Sequence, residues 1–177
     1  MPVDTAHLAS IAAPAALIAA LSLAVRQDLV THRISNLLTF GLLGAGLLLA
    51  AWTEGFAGLG TAFAGAAIGF ACLMPLYLVR GMGAGDVKLM AAAGAILGPF
   101  NAFLAAMLTL AAGALLGIAL LAWRIIELRS TSGALASGPV IAQMGKERFP
   151  YAAAIAVGVI ATLWLRGLLQ PLAGGLA

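Results

Sequence analysis

Charge is scarce in this chain, and what little there is falls between long apolar runs. Of its 177 residues, 63% are hydrophobic and 8% are charged, whereas a soluble domain carries about 25% charged residues. Mean hydropathy is +1.11. Such a chain cannot clothe itself in a water-compatible surface. It can fold in a bilayer, where a helix satisfies every backbone polar group within its own length. Set against the roughly 20 apolar residues needed to cross a hydrocarbon core, six runs stand out. They are Leu8–Val25, Leu37–Trp52, Phe56–Val79, Val87–Leu97, Phe100–Trp123 and Tyr151–Leu165. The expected fold is therefore all-α: a polytopic membrane bundle of about six transmembrane helices, forming one domain over residues 1–177 with no internal repeat or linker.

Basic residues orient the bundle. With the N-terminus outside, the inner segments hold Arg26, Arg33, Arg80, Lys88, Arg124, Arg129, Lys146 and Arg148, eight of the nine Lys and Arg, and only Arg166 falls near the outer end. The positive-inside rule selects this orientation. The first run is preceded by Asp4 and His7 without Lys or Arg, so it lacks the positive start of a secretory signal. Cations scattered between apolar runs set topology; they do not form a nucleic-acid surface. Cys72 is the sole cysteine and reads as a small buried hydrophobe. No Cys/His cluster has metal-site spacing, so neither metal nor cofactor is expected.

In this setting two acids demand an explanation. Asp28 lies in the polar segment Arg26–Asn36, and Asp86 closes Gly81-Met-Gly-Ala-Gly-Asp86 immediately before the fourth run. Both fall at the inner edge, and an acid near lipid is a functional-site hypothesis by default. Two carboxylates that meet share a proton and can activate water for peptide hydrolysis, one taking the water proton while the other donates to the carbonyl oxygen. A helix N-terminus at Asp86 favours its ionised form. Gly81, Gly83 and Gly85 permit positive φ and close approach of a substrate backbone. The fourth run is short for a bilayer, which fits a Gly81–Gly85 turn at membrane depth or a locally thinned bilayer. Glu54 reads as a solvated outer acid, and Glu127 and Glu147 as ion-paired loop acids. The stretch Glu127–Pro150 reads as a cytoplasmic loop. Glycines four residues apart, Gly65 and Gly69, Gly94 and Gly98, Gly113 and Gly117, suit close helix packing. Pro14 and Pro75 are expected to bend their helices.

Gly83-Ala-Gly-Asp86-Val-Lys-Leu resembles the GxGD signature of the prepilin peptidases. Asp28-Leu-Val-Thr-His-Arg-Ile-Ser-Asn36 resembles their first aspartate segment, with Ser35 where the family often has Pro. Phe149-Pro-Tyr-Ala-Ala-Ala-Ile-Ala156 is similar to the Pro-Tyr segment that opens their last span. The longer string from Gly81 to Ala95 is most like the short form serving Flp pili of the tight-adherence system. The resemblance implies an aspartic endopeptidase of the bacterial inner membrane that removes prepilin leaders at the cytoplasmic face. Asp28 and Asp86 would be catalytic, Gly83 and Gly85 would shape the site, and Lys88 would bind substrate or lipid phosphate. Its partners would be the prepilin leader with its hydrophobic segment, and membrane lipid. Larger relatives that also N-methylate carry paired Cys motifs, which this chain lacks, so no methyltransferase activity is expected. Two other readings use the same acids: a small proton-coupled transporter, which would place them near the midplane, and a structural subunit in which they cap helices.

Overall fold

The computed structural model describes residues 5–31, 34–131 and 151–167. Five helices account for nearly all of them: α1 (Thr5–Thr31), α2 (Asn36–Leu78), α3 (Ala84–Leu97), α4 (Pro99–Thr131) and α5 (Tyr151–Leu165). No strand occurs among the described residues. Three stretches are long and apolar enough to cross a membrane, Ala12–Thr31, Asn36–Leu78 and Pro99–Glu127, and Tyr151–Leu165 is a shorter apolar helix. The outer surface is correspondingly apolar, with Leu48, Phe63, Phe70, Phe103 and Trp164 all exposed.

The second and third runs form one continuous helical element, α2, broken at Gly55 (φ 64°, ψ −141°). Only glycine adopts this conformation without strain. Its two arms fold back on each other. A Cβ added at Gly58 would collide with the Ala50 carbonyl oxygen, and both arms touch the same stretch of α3. Trp52 and Phe56 flank the turn fully exposed, as aromatic side chains do at a membrane–water boundary. Although Pro75 lies inside α2, the break in helical geometry is at Gly55.

α3 is the centre of the bundle, packing chiefly on α2 and also on α4, α5 and α1. Val87, Leu89, Met90, Ala92, Ala93 and Ala95 are buried around its whole circumference, the pattern of a helix enclosed by protein. Small residues make that enclosure possible. A Cβ on Gly65 would meet the Gly94 carbonyl, one on Gly94 would meet the Gly65 carbonyl, and one on Gly69 would lie 2.6 Å from the Met90 carbonyl oxygen. Gly113 also makes a close approach, a Cβ there lying 3.3 Å from the Tyr151 ring, but the remaining two glycines of the spaced pairs behave differently. Gly98 (φ 75°) ends α3, and a Cβ at Gly117 would meet nothing within 4 Å.

Two boundaries depart from the sequence reading. α1 runs through Asp28 to Thr31, so Asp28 is helical and does not lie in a polar break. The cause is the stripe Leu17, Leu21 and Ala24, all buried, which Asp28 continues at helical spacing. α4 likewise extends to Thr131, absorbing the start of the expected loop. His32, Arg33, Lys146, Glu147, Arg148 and Phe149 lie outside the described residues.

The glycine crossing predicts a sharp contrast. Gly94→Ala should destabilise the fold by about 1–3 kcal/mol, the usual range for overpacking. Gly60→Ala, where a Cβ meets nothing within 4 Å, should be neutral or stabilising by up to about 1 kcal/mol through helix propensity. Thermal unfolding in detergent micelles measures both.

Candidate active site

The end of α1, both ends of α2, the start of α3 and the start of α5 converge at one end of the bundle. Asp28 and Asp86 are both buried there, at 8% and 7% exposure. They come from helices distant in sequence, and the Asp28 charge acts directly on Asp86. Tyr151, at the start of α5, also lies within range of the Asp86 charge.

Each acid is held by a helix N-terminus, but differently. Asp28 Oδ2 accepts from the backbone N–H of Ala152 at 3.4 Å, one of the α5 amides that have no partner within their own helix. Asp86 is in the first turn of α3, and its Oδ2 accepts from the N–H of Gly83 at 3.1 Å. That is one half of a capping box; Gly83 has no side chain to supply the other half. Oδ1 of Asp86 is buried with no hydrogen-bond partner among the described residues.

The electrostatics reverse the expectation that the helix start would keep Asp86 ionised. Burial, and then the neighbouring Asp28 charge, push its carboxyl from 3.8 up to about 7 against the opposing pull of the Gly83 N–H. Desolvation penalises the charged form more than one amide and a helix end favour it. Asp86 stands ahead of the apolar stretch Val87–Leu97, at the polar edge of α3.

The turn into α3 is built differently from the sequence expectation. None of Gly81, Gly83 and Gly85 has positive φ; the left-handed residue is Arg80 (φ 60°). Arg80 closes α2, its N–H donating to the Tyr77 carbonyl at 2.9 Å and that of Gly81 to Leu76 at 2.8 Å, the paired bonds of a Schellman motif. Gly83 and Gly85 matter for space. A Cβ on Gly83 would sit 3.2 Å from Asp86 Oδ2, and one on Gly85 3.2 Å from the Ile34 side chain.

Ser35 caps α2, its hydroxyl accepting from Leu37 N–H at 3.2 Å. Its own N–H donates to Gln27 Oε1 at 3.0 Å, a bond that proline could not make. Lys88 Nζ donates to Asn36 Oδ1 at 3.0 Å. Gln27, Asn36 and Ala152 were not singled out by the sequence reading. Adjacency to Asp28 marks Gln27, and the two family-like segments contain Asn36 and Ala152. No cluster of three or more metal-ligating residues occurs among the described residues. Beside the acids, a cavity of about 420 Å³ opens between the end of α2, α4 and α5, with Met82, Gly113, Gly117 and Tyr151 in its wall.

Asp86 ties stability to pH. Its folded-state pKa is raised, so its stabilising contribution is complete below about 4 and lost as pH rises through about 7. Asp86→Asn should therefore raise the melting temperature at pH 8 and leave it nearly unchanged at pH 4, read by thermal unfolding at the two pH values.

Searches among curated proteins and among solved structures find no match. The profile of the type IV leader peptidase family matches residues 15–118, more than half of the chain and a stretch that includes both acids. The chain belongs to the type IV leader peptidase family.

Proposed function

We propose that the chain is an aspartic endopeptidase of the bacterial inner membrane, with Asp28 and Asp86 as its catalytic pair, acting on type IV prepilins of the Flp kind. The observation that carries this reading is Asp86: a buried carboxyl, under the influence of a second buried carboxylate, with one oxygen committed to a backbone amide and the other to nothing described. Below about pH 7 the pair retains a proton. A water between the acids loses a proton to the ionised member as its oxygen attacks the scissile carbonyl carbon. The protonated member donates to the carbonyl oxygen. Collapse of the tetrahedral intermediate breaks the C–N bond: the leaving nitrogen takes up a proton from the protonated member while a diol hydroxyl gives its proton to the ionised member, so the pair again holds one proton. The titration belongs to the pair and not to either acid alone.

The cavity beside the acids suits the apolar side of a prepilin cut, with Gly83 and Gly85 keeping the approach to Asp86 low. Arg26, Arg80 and Lys88 share the end of the bundle that bears the acids, while Arg166 stacks on Phe100 at the other, 4.3 Å from the ring centroid. By the positive-inside rule the acid end is cytoplasmic. The two arms of α2 read as two spans, which with α1, α3, α4 and α5 makes six and leaves the N-terminus outside. We read the chain as a single peptidase domain without N-methyltransferase activity. The transporter reading is weaker, because both acids lie at one end of the bundle.

The test is the intact mass of an Flp-type prepilin co-expressed with the parent protein. Leader loss without an added methyl group is expected. Asp28→Asn and Asp86→Asn should each lower kcat by at least about 1000-fold, as expected for members of a unit that acts together. Full cleavage by both variants would overturn the assignment. In purified enzyme, kcat/KM should fall on the alkaline side with an apparent pKa near 7, where Asp86 gives up its proton and the pair loses the one it shares.

A further inference from the structure

The immediate chain neighbours of the two acids are tied to each other through the start of α2. Gln27 precedes Asp28, and its Oε1 accepts from the N–H of Ser35. Asn36 follows Ser35, and its Oδ1 accepts from Lys88 Nζ. Lys88 stands two residues beyond Asp86. The path Asp28–Gln27, Ser35–Asn36, Lys88–Asp86 thus bridges α1, α2 and α3 through two side-chain hydrogen bonds, each 3.0 Å long. The Lys88 ammonium also lies 5.3 Å from the centroid of the Phe40 ring, one turn along α2 from Asn36. Its ammonium thus meets Asn36 and the ring, and Lys88 is not among the groups that shift Asp86.

We propose that Gln27, Asn36 and Lys88 are positioning residues, a strap across three helices that sets the separation of Asp28 and Asp86. The kinetic part of this inference rests on the peptidase reading. Both bonds are solvent-exposed, so the strap contributes little to overall stability beside the buried core of α3. Its effect is on geometry, where misplacing a reacting group by about 1 Å costs on the order of 100-fold in rate. If the strap is cut, α1 is free to shift against α3, and the charge of Asp28 acts less strongly on Asp86. The other titratable group coupled to Asp86 from a neighbouring element is Tyr151 on α5, on which the Asp86 charge acts; among the described residues no charged group of α2 or α4 acts on Asp86.

Lys88→Met keeps the stem and removes the donor. It should lower kcat by about 10- to 100-fold with KM unchanged, and shift the alkaline limb of the pH profile to lower pH. Gln27→Met cuts the other link and should do the same, so the proposal remains testable if one variant does not fold. Asn36→Asp, which keeps an acceptor for Lys88, should recover at least about 10-fold over Asn36→Leu, the lower end of that same loss. A rise in KM alone for Lys88→Met would assign Lys88 to substrate or lipid binding and overturn the strap, as would unchanged kcat in both Lys88→Met and Gln27→Met. A second readout needs no substrate. The infrared band of the protonated Asp86 carboxyl, identified by its loss in Asp86→Asn, should titrate at lower pH in Lys88→Met than in the parent, and an unmoved midpoint would overturn the proposal. A parent that cleaves no prepilin would sink the peptidase reading, while this titration would still decide for or against the strap.

Discussion

The bundle depends on the crossing of α2 over α3 at Gly65 and Gly94. There two backbones meet with no side chain between them, each glycine facing the other's carbonyl. In a bilayer, apolar side chains gain little by leaving lipid for protein, so helix association relies on van der Waals contact and close approach. The glycine crossing lets the two arms of α2 grip α3, and α4, α5 and α1 complete the enclosure. Burial of α3 then carries Asp86 with it, since Asp86 lies in the first turn of that helix.

At the acid end three effects compete. The first turn of a helix attracts a negative charge, and the Gly83 N–H adds a hydrogen bond to it. Burial and the second carboxylate oppose both, and they prevail. One oxygen of Asp86 is buried with no hydrogen-bond partner among the described residues, which adds to the cost of burying it. The cost is tolerable because the surrounding contacts over-determine the position of α3. Asp28 is treated differently: its stripe of Leu17, Leu21 and Ala24 fixes it on the inner face of α1, and an amide of α5 meets it there. Both acids are thus buried and each is met by a backbone N–H at a helix start, Asp28 by one from another helix and Asp86 by one from the turn before its own.

Much of this was legible in the sequence. The apolar runs revealed the helices, because a long unbroken apolar run in lipid satisfies its backbone within itself only as a helix, whereas barrel strands are short and alternate. The scarcity of acids exposed Asp28 and Asp86, and the spacing of Gly65, Gly69 and Gly94 anticipated the tight packing. What escaped notice depended on relations between distant elements. The helical state of Asp28 follows from the stripe that leads to it, which a window centred on the polar segment Arg26–Asn36 obscures. The left-handed turn fell to Arg80 and not to a nearby glycine, because the Schellman closure of α2 requires it one residue past Val79. The raised pKa of Asp86 could not be read from a helix start alone, since it reflects how many other helices enclose that start.

The hold on Asp28 has an evolutionary consequence. Its partner among the described residues is the backbone amide of Ala152, so the contact uses no side chain of residue 152, although Ala152 is itself fully buried. Only proline, which has no N–H, would abolish it. Natural selection would keep residue 152 small, for reasons of space and not of hydrogen bonding. The trace of the contact itself would lie in what keeps the α5 backbone in place, such as Gly158, whose missing side chain lets α5 lie against Thr109 of α4. Part of what holds the acids in place is therefore written in the small residues of a helix crossing well away from them, where a drift in sequence would look like packing alone.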